Sequence, residues 1–288
     1  MEILERLLET EAVTINYAEG PPAGLPLVFL HGGSARWQSY ESIMPDLAAR
    51  FHLYAPDFRG HGKSGWRAGQ YRLQDFTDDT IAFLRQCVAE PAYLLGHSLG
   101  GEVALLVAAQ YPDYVRAVAV GDAPLTRRVE TAVEHDARQS KVATWRDLAG
   151  GRLSIEAIIE ALKDSPTEMP GQAEPVTMRE RYGEDSSVFT WVASNLYYND
   201  PDMLTATFDE ATKAGYEMEK VLPAIRCPVL LLQADPAEGG LMTDVEVARA
   251  LPLLTQAQHV CFKGTEHILF FPDKAPVLQA IVAFFESL

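Results

Sequence analysis

One serine of this sequence lies between two glycines, in the stretch Gly96-His97-Ser98-Leu99-Gly100. Apolar residues 93–95 precede it and a run rich in Ala and Leu follows over 99–111, so the pattern predicts a tight turn from a strand into a helix at Ser98. Glycine on both sides relieves crowding at such a turn. The start of the helix also places backbone N–H groups beside the hydroxyl, where they can stabilise an oxyanion. Ser98 is therefore a candidate nucleophile.

A serine hydroxyl is a weak nucleophile at neutral pH and requires a general base, a role suited to histidine. His267 follows a predicted strand and precedes an apolar segment that contains proline, so it can lie on a loop above a sheet. His97 adjoins the serine, and its side chain should point away from it. The remaining histidines lie in glycine-rich turns or have no motif around them: His31, His52, His61, His135 and His259.

Short β-type runs alternate with helical patterns along most of the chain. Residues 4–18 can form two antiparallel strands, and apolar runs indicate further strands at 26–30, 51–57, 92–97, 115–122, 228–235 and 259–264. Helical periodicity occupies 39–50, 74–88, 99–111, 243–251 and 273–286. Several strand runs are apolar almost throughout, which is typical of strands covered on both faces. The alternation predicts a mostly parallel sheet with right-handed crossovers.

The regular spacing is interrupted once, between Asp122 and Cys227. This interval is too long for a loop in a compact domain, and it is charged and aromatic by turns. We interpret it as a mainly helical cap over the carboxyl-terminal edge of the sheet. The predicted domains are a core formed by 1–124 and 225–288, and a cap insertion at 125–224.

Four motifs, taken in their order along the chain, resemble those of the α/β-hydrolase fold superfamily, in particular its serine esterase-like branch with a cap. In chain order they are FLHGGS at 29–34, DFRGHGKS at 57–64, the Gly-x-Ser-x-Gly turn at Ser98 and GTEHILFFP at 264–272. The resemblance covers nearly all of the chain apart from the cap. It implies an α/β fold with a central sheet of about eight strands, flanked by helices, and a helical cap after the sixth strand. It also implies a triad in the order Ser, acid, His, with His267 as the base and His31 and His61 as architectural residues.

The resemblance places the acid just after the strand 228–235, which indicates Asp235. A carboxylate there would fix the imidazole tautomer and stabilise the imidazolium. The family usually has Gly-x-x-Asp at this point, whereas this chain has Gln-Ala-Asp-Pro over 233–236. Glu238 is therefore one alternative. Asp122, at the end of the preceding strand, is another, because some branches of the family recruit the acid from that position.

The resemblance also implies an oxyanion hole built from the backbone N–H groups of Gly33 and Leu99. Three aromatic residues of the predicted cap could wall an apolar acyl pocket, although packing within the cap is at least as good an explanation for them: Trp191, Tyr197 and Tyr198. The sequence predicts no metal ligands and no cofactor, because neither ligand spacings nor a dinucleotide-binding fingerprint occurs.

A serine nucleophile indicates acyl transfer, and the predicted function is hydrolysis of carboxylic esters of small apolar substrates through an acyl-enzyme. Lactonase, C–C bond hydrolase and perhydrolase activities are alternatives on the same fold. Acyltransferase and ligand receptor are alternatives of another class. Because fold and triad specify only a reaction class, the substrate depends on the shape of the pocket.

Composition limits the partners of the protein. The net charge is −16, from 24 basic and 40 acidic residues, which disfavours binding to nucleic acids and anionic membranes. The start of the sequence, MEILERLLETEAV, lacks the features of a secretory signal, so we expect a cytoplasmic protein. The expected partner is a small-molecule ester, and no sequence feature indicates an oligomeric state.

Overall fold

The computed structural model describes residues 2–126, 132–167, 169, 175–207, 209, 216–271 and 273–288. Its strands are β1 (Leu4–Glu9), β2 (Thr14–Glu19), β3 (Leu25–Leu30), β4 (Phe51–Pro56), β5 (Ala92–His97), β6 (Val115–Gly121), β7 (Pro166–Thr167), β8 (Val176–Thr177), β9 (Val229–Ala234) and β10 (Ala257–Phe262). Among the described residues, eight of them form one sheet in the order β1-β2-β4-β3-β5-β6-β9-β10. Strands β7 and β8 pair separately as a short antiparallel ribbon.

The sheet is parallel from β4 to β10, and only β1 and β2 are antiparallel to their neighbours. The predicted eight-stranded, mostly parallel sheet is confirmed. Strands β5 and β9 are buried along almost their whole length, as their continuous apolar character predicts. Alternate residues enter two separate cores: Leu94 packs on one face of the sheet, while Tyr93 and Leu95 pack on the other.

Helices cover both faces of the sheet. They are α1 (Met44–Leu47), α2 (Leu73–Phe83), α3 (Leu99–Gln110), α4 (Ala132–Leu148), α5 (Ile155–Lys163), α6 (Met178–Tyr182), α7 (Ser187–Tyr198), α8 (Pro201–Thr207), α9 (Met218–Val221), α10 (Asp244–Ala250) and α11 (Ala275–Glu286). Short 3-10 helices lie at Trp37–Tyr40, Pro112–Tyr114, Leu222–Ala224, Pro236–Glu238 and Leu251–Leu253, and a π-helical turn at Leu84–Val88 follows α2. Every helix within the described ranges falls short of the length and apolar character that a membrane span requires.

The helix predicted over 39–50 is divided. A 3-10 turn ends at Tyr40 and α1 begins at Met44, with Pro45 in its first turn. Proline lacks a backbone N–H and its ring clashes with the preceding turn, so it is accepted at the start of a helix but not in the interior. One continuous helix across this segment is therefore excluded.

The described part of the interval 125–224 contains α4 to α9 and the β7–β8 ribbon, and is mainly helical. It contacts loops that follow the carboxyl ends of β3 and β4. The backbone N–H of Asp200 donates to the carbonyl of Gly60 at 2.8 Å, and Asn199 Nδ2 donates to the carbonyl of Ser34 at 3.0 Å. These contacts are consistent with a cap. The division of the chain into two domains stays a prediction.

Candidate active site

Ser98 lies at the junction of β5 and α3 in a strained backbone conformation, with φ of +53° and ψ of −121°. A positive φ is unfavourable for a residue that carries a Cβ, and it persists only where the surroundings enforce it. The Ser98 N–H donates to the carbonyl of Gly121 at 2.8 Å, and the N–H of Gly101 donates to the carbonyl of Ser98 at 2.8 Å. Both neighbouring elements thus hold the turn and leave the side chain partly exposed.

The two flanking glycines are required by close backbone contacts. A Cβ on Gly96 would lie 2.1 Å from the carbonyl oxygen of Gly100, and a Cβ on Gly100 would lie 1.9 Å from that of Leu30. No side chain can occupy either position without moving β3, β5 or α3. The two glycines of the Gly-x-Ser-x-Gly pattern are therefore required because the strand and the helix approach each other so closely.

The oxyanion segment lies directly against the serine. A Cβ on Gly32 would be 3.3 Å from the Cβ of Ser98, so the loop after β3 packs on this turn. Within the described part of the chain, the N–H groups of Gly33 and Leu99 have no hydrogen-bond acceptor. Leu99 follows Ser98 in the chain and Gly33 follows the glycine that packs on it, so these two N–H groups are candidate donors to an oxyanion.

His267 lies on the loop after β10. Its Nδ1–H donates to Asp122 Oδ2 at 2.7 Å, which leaves Nε2 as the basic nitrogen. Its carbonyl accepts a hydrogen bond from His97 Nε2 at 2.8 Å, and the two imidazole rings are 4.6 Å apart. The base is thereby brought beside the residue that precedes Ser98.

The Ser98 hydroxyl itself makes no hydrogen bond to any described residue, so the serine–imidazole bond is not formed in this structure. Catalytic hydrogen bonds in ligand-free proteins are often long and shorten when substrate binds. The backbone positions of Ser98 and His267 are nevertheless fixed by the contacts described above.

The carboxylate at the imidazole is that of Asp122, a fully buried residue directly after β6. Besides His267, it accepts hydrogen bonds from three backbone N–H groups, those of Ala234, Leu241 and Met242, at 3.1, 2.8 and 3.1 Å. Burial by itself would raise the pKa of Asp122, but the hydrogen bonds from His267 and from the backbone outweigh it and hold the pKa below its usual value. Asp122 is therefore ionised at neutral pH.

The prediction of Asp235 as the partner of His267 is wrong, and Asp122, predicted as an alternative, occupies that place. Asp235 caps the short helix that follows β9, accepting from the N–H of Ala237 at 3.2 Å. Its other oxygen accepts from the N–H of Gly264 at 3.0 Å. Asp235 thus anchors the start of the loop that carries His267. The alternative Glu238 ends the same short helix and is not bonded to the imidazole either.

The order of the strands explains the correction. Strand β6 lies between β5, which leads to Ser98, and β9, which leads to Asp235. The loop after β10 extends back over the sheet as far as His97 at the end of β5. The imidazole of His267 therefore lies at the end of β6, where it contacts Asp122. A carboxylate at the end of β6 meets the ring there, whereas Asp235 lies one strand further from the serine.

Helix α7 is attached to the oxyanion loop at its carboxyl-terminal end. Asn199 bonds the carbonyl of Ser34, and Arg36 Nε donates to Asn195 Oδ1 at 3.2 Å. Asn195 and Asn199 are one turn apart and therefore lie on one face of the helix. This face is the one that α7 presents to the core.

The chain just before α7 is attached to the opposite side of the site. Arg181 Nη2 at the end of α6 lies 3.0 Å from Glu266 Oε1, and Glu266 immediately precedes His267. Helix α7 therefore passes from the side of the base to the side of the oxyanion loop.

Of the three aromatic residues predicted for the pocket, Trp191 lies on α7 one turn before Asn195 and is 38% exposed. The Tyr198 ring lies against the guanidinium of Arg36, with 5.1 Å between the Arg Cζ and the ring centre. Tyr197 contacts Tyr198 edge-on at 5.0 Å. A pocket lined by these residues stays a prediction.

His31 and His61 are fully buried and both are structural. His31 Nε2 accepts from the N–H of Phe58 at 2.9 Å, and His61 Nε2 accepts from the N–H of Ser34 at 3.2 Å. Burial lowers the pKa of His61 to about 4 and that of His31 well below its usual value. Both rings must therefore stay neutral in the folded protein.

This burial predicts a loss of stability in mild acid. An unfolded histidine takes up a proton near pH 6.5, but folded His61 does so only near pH 4. The free energy of unfolding should therefore fall as the pH drops from about 6.5 to about 4, by up to about 1.4 kcal/mol per pH unit for this residue. When the free energy of unfolding is measured with urea at several pH values in this range, it should change less steeply with pH in His61→Gln than in the parent protein. His135→Gln, at an exposed position, should keep the slope of the parent protein.

A family model described as the alpha/beta hydrolase fold matches residues 26–153. The crystal structure of E-2-(acetamidomethylene)succinate hydrolase superposes with a TM-score of 0.72 and 22% identity, over 99% of this chain and 100% of that one. The chain therefore has the α/β-hydrolase fold.

Two further proteins resemble the chain to a similar extent. The enol-lactonase from Burkholderia xenovorans LB400 superposes with a TM-score of 0.72 and 18% identity, over 98% of this chain and 100% of that one. The 2-(acetamidomethylene)succinate hydrolase of Mesorhizobium japonicum is 32% identical over 156 residues, which are 54% of this chain and 55% of the relative. The chain thus spans about half the length of this curated relative in the match.

Two contacts of His267 were not predicted from the sequence as the structure has them. Asp122 was only an alternative, although the run ending in Gly121-Asp122 at a strand end is the signal that could have favoured it. His97 was expected to point away from the serine, and its bond to the carbonyl of His267 was not foreseen. The described residues hold no group of three or more His, Cys, Asp or Glu side chains arranged to bind a metal ion.

Proposed function

We propose that this protein is a serine hydrolase that cleaves carboxylic esters of small molecules through an acyl-enzyme intermediate. One observation carries the proposal. Ser98 lies on a strained strand-to-helix turn next to two free backbone N–H groups. The His267–Asp122 pair is held against His97, the residue before Ser98. This set of groups serves acyl transfer from a carbonyl compound.

In the proposed reaction, Ser98 Oγ attacks the ester carbonyl while His267 Nε2 takes up the hydroxyl proton. The N–H groups of Gly33 and Leu99 stabilise the oxyanion of the tetrahedral intermediate. Asp122 keeps the proton of the imidazole on Nδ1 and stabilises the imidazolium. His267 then gives the proton to the leaving alkoxide, which departs as the alcohol. Water, activated by the same imidazole, hydrolyses the acyl-enzyme and restores the serine.

The relatives support a hydrolase in general and not ester cleavage in particular. The similar enol-lactonase makes lactone hydrolysis the second candidate, since a lactone is a cyclic ester and passes through the same steps. Similarity to 2-(acetamidomethylene)succinate hydrolase indicates that a substrate bearing carboxylates also belongs among the tests. We propose that the substrate binds beside α7 and that the exposed ring of Trp191 forms part of the site.

A panel of substrates tests this proposal. Initial rates are measured for p-nitrophenyl esters of increasing acyl length, for lactones of matched size, and for esters that carry a free carboxylate. The expected result is many turnovers per protein molecule on at least one short ester or lactone. A single slow turnover on every compound would instead favour a ligand receptor, and product transfer to added alcohol in place of water would favour an acyltransferase.

Trp191 should affect substrate binding more than chemistry. Replacing it with Ala removes an exposed aromatic surface from α7, so we expect KM for aryl esters to rise about tenfold with kcat nearly unchanged. The measurement is a Michaelis–Menten analysis of Trp191→Ala. Trp66→Ala, at another exposed tryptophan, is the matched control. Equal KM values in both variants would exclude Trp191 from the binding site.

A further inference from the structure

His97 connects the two loops of the proposed active site. Its Nε2–H donates to the carbonyl of His267 at 2.8 Å. On its other edge, Nδ1 would lie 3.1 Å from a Cβ placed on Gly32, so the ring packs directly against the oxyanion loop. The side chain thus fills the space between the segment that carries the base and the segment that carries an oxyanion donor.

The chemical state of His97 is set by these contacts. Burial, and then the proximity of His267, lower the pKa of His97 to about 4, so its ring is neutral at neutral pH. A carbonyl oxygen only accepts hydrogen bonds, so the single proton of the neutral ring must be on Nε2. A neutral ring also avoids repulsion of the imidazolium that forms on His267 during the reaction, 4.6 Å away.

The loop that carries His267 is buried at Leu269 and partly exposed on either side of it. Two of its side chains are exposed, Ile268 at 38% and Phe271 at 52%. Asp235 holds only the start of the loop, at Gly264, whereas His97 bonds the backbone of the base itself. The side-chain bond to Asp122 fixes the tilt of the imidazole, and the bond from His97 fixes the position of its main chain.

We propose that His97 is a positioning residue that holds the general base at the nucleophile by bonding the carbonyl of His267. This role rests on the proposed function. It depends on one N–H donor at the correct reach and not on the charge of the ring. A displacement of the base by about 1 Å can lower a rate on the order of a hundredfold, so loss of this donor should act on kcat and leave KM nearly unchanged.

Three substitutions separate the donor from the bulk of the ring. His97→Phe keeps a ring without the donor, and His97→Asn has an amide too short to reach. His97→Gln places an amide N–H near the position of Nε2. We expect kcat on an ester substrate to fall about tenfold to a hundredfold in the Phe and Asn variants, and the Gln variant to retain most of the activity. His52→Gln, on β4 and bonded to Glu19, is the control and should behave as the parent protein.

A second measurement reports the position of the base without turnover. The Nδ1–H of His267, bonded to Asp122, gives a low-field proton NMR signal that His267→Ala removes. The expected result is that this signal broadens or disappears in the Phe and Asn variants and persists in the Gln variant. Thermal unfolding of each variant identifies any that do not fold, and the Phe and Asn variants serve as substitutes for each other in that case.

The outcomes separate this inference from the proposed function. If the folded Phe or Asn variant keeps both kcat and the NMR signal while Ser98→Ala is inactive, His97 has no positioning role. If the Gln variant loses as much activity as the Phe variant, the donor is not the relevant feature and the inference is likewise overturned. If Ser98→Ala is fully active, the proposed function fails, and the NMR signal alone decides whether His97 orders the loop.

Discussion

Ser98→Ala should lower kcat on the order of a millionfold, and His267→Ala should do the same. The hydroxyl is the only reacting group that Ala removes at residue 98, since the strained turn is held by backbone hydrogen bonds and by the flanking glycines. Because nucleophile and base act as one unit, the double variant should be little worse than either single variant. The measurement is single-turnover and steady-state kinetics on the best ester of the substrate panel.

The matched control for this pair is Ser39→Ala, whose hydroxyl lies in a 3-10 turn and takes no part in the proposed reaction. It should keep the activity of the parent protein. Residual hydrolysis in Ser98→Ala should still exceed the rate in water about a thousandfold, because the donors at Gly33 and Leu99 remain. Activity of Ser98→Ala close to that of the parent protein would remove acyl-enzyme chemistry from consideration.

Asp122→Asn should lower kcat on the order of ten-thousandfold. The carboxylate receives N–H donors on both oxygens, two from the backbone on Oδ1, and one from the backbone plus His267 on Oδ2. An Asn side chain has only one acceptor, which the two backbone donors would occupy. Its NH₂ group would then face His267 and force the imidazole to accept at Nδ1, with its proton on Nε2. A base with its proton on Nε2 cannot accept the proton of the serine.

Asp235→Asn is the matched control, and it tests the corrected assignment directly. Asp235 bonds the start of the base loop through Gly264 and contacts exposed Lys263, but it does not reach His267. We expect less than about a tenfold change in kcat, because the imidazole keeps its partner and an ion pair with an exposed lysine contributes little. A severe effect of Asp235→Asn together with a mild effect of Asp122→Asn would reverse the assignment.

Local sequence determined the parts of this site that depend on neighbouring residues. Gly96, Ser98 and Gly100 occupy alternate positions of a single strand-to-helix turn. Close contacts among β5, α3 and β3 require the two glycines there. The strand and helix patterns likewise predicted the eight-stranded sheet, because apolar periodicity reports which faces are buried. One continuous helix was predicted over 39–50, and the structure divides it near Pro45, whose effect on the helix is also local.

The partner of the base depended on which strands lie side by side. His267 and Asp122 are 145 positions apart in the chain, and the sequence offered three carboxylates for one place. Residue spacing describes each strand end but not the path of the loop after β10, which crosses β9 to reach β5. The same is true of His97, whose contact with the carbonyl of His267 spans 170 positions. Local pattern thus determined the candidate nucleophile and predicted the sheet. Only the tertiary structure decided which carboxylate and which side chain contact His267, because both depend on contacts between loops whose positions are fixed by strand order and packing.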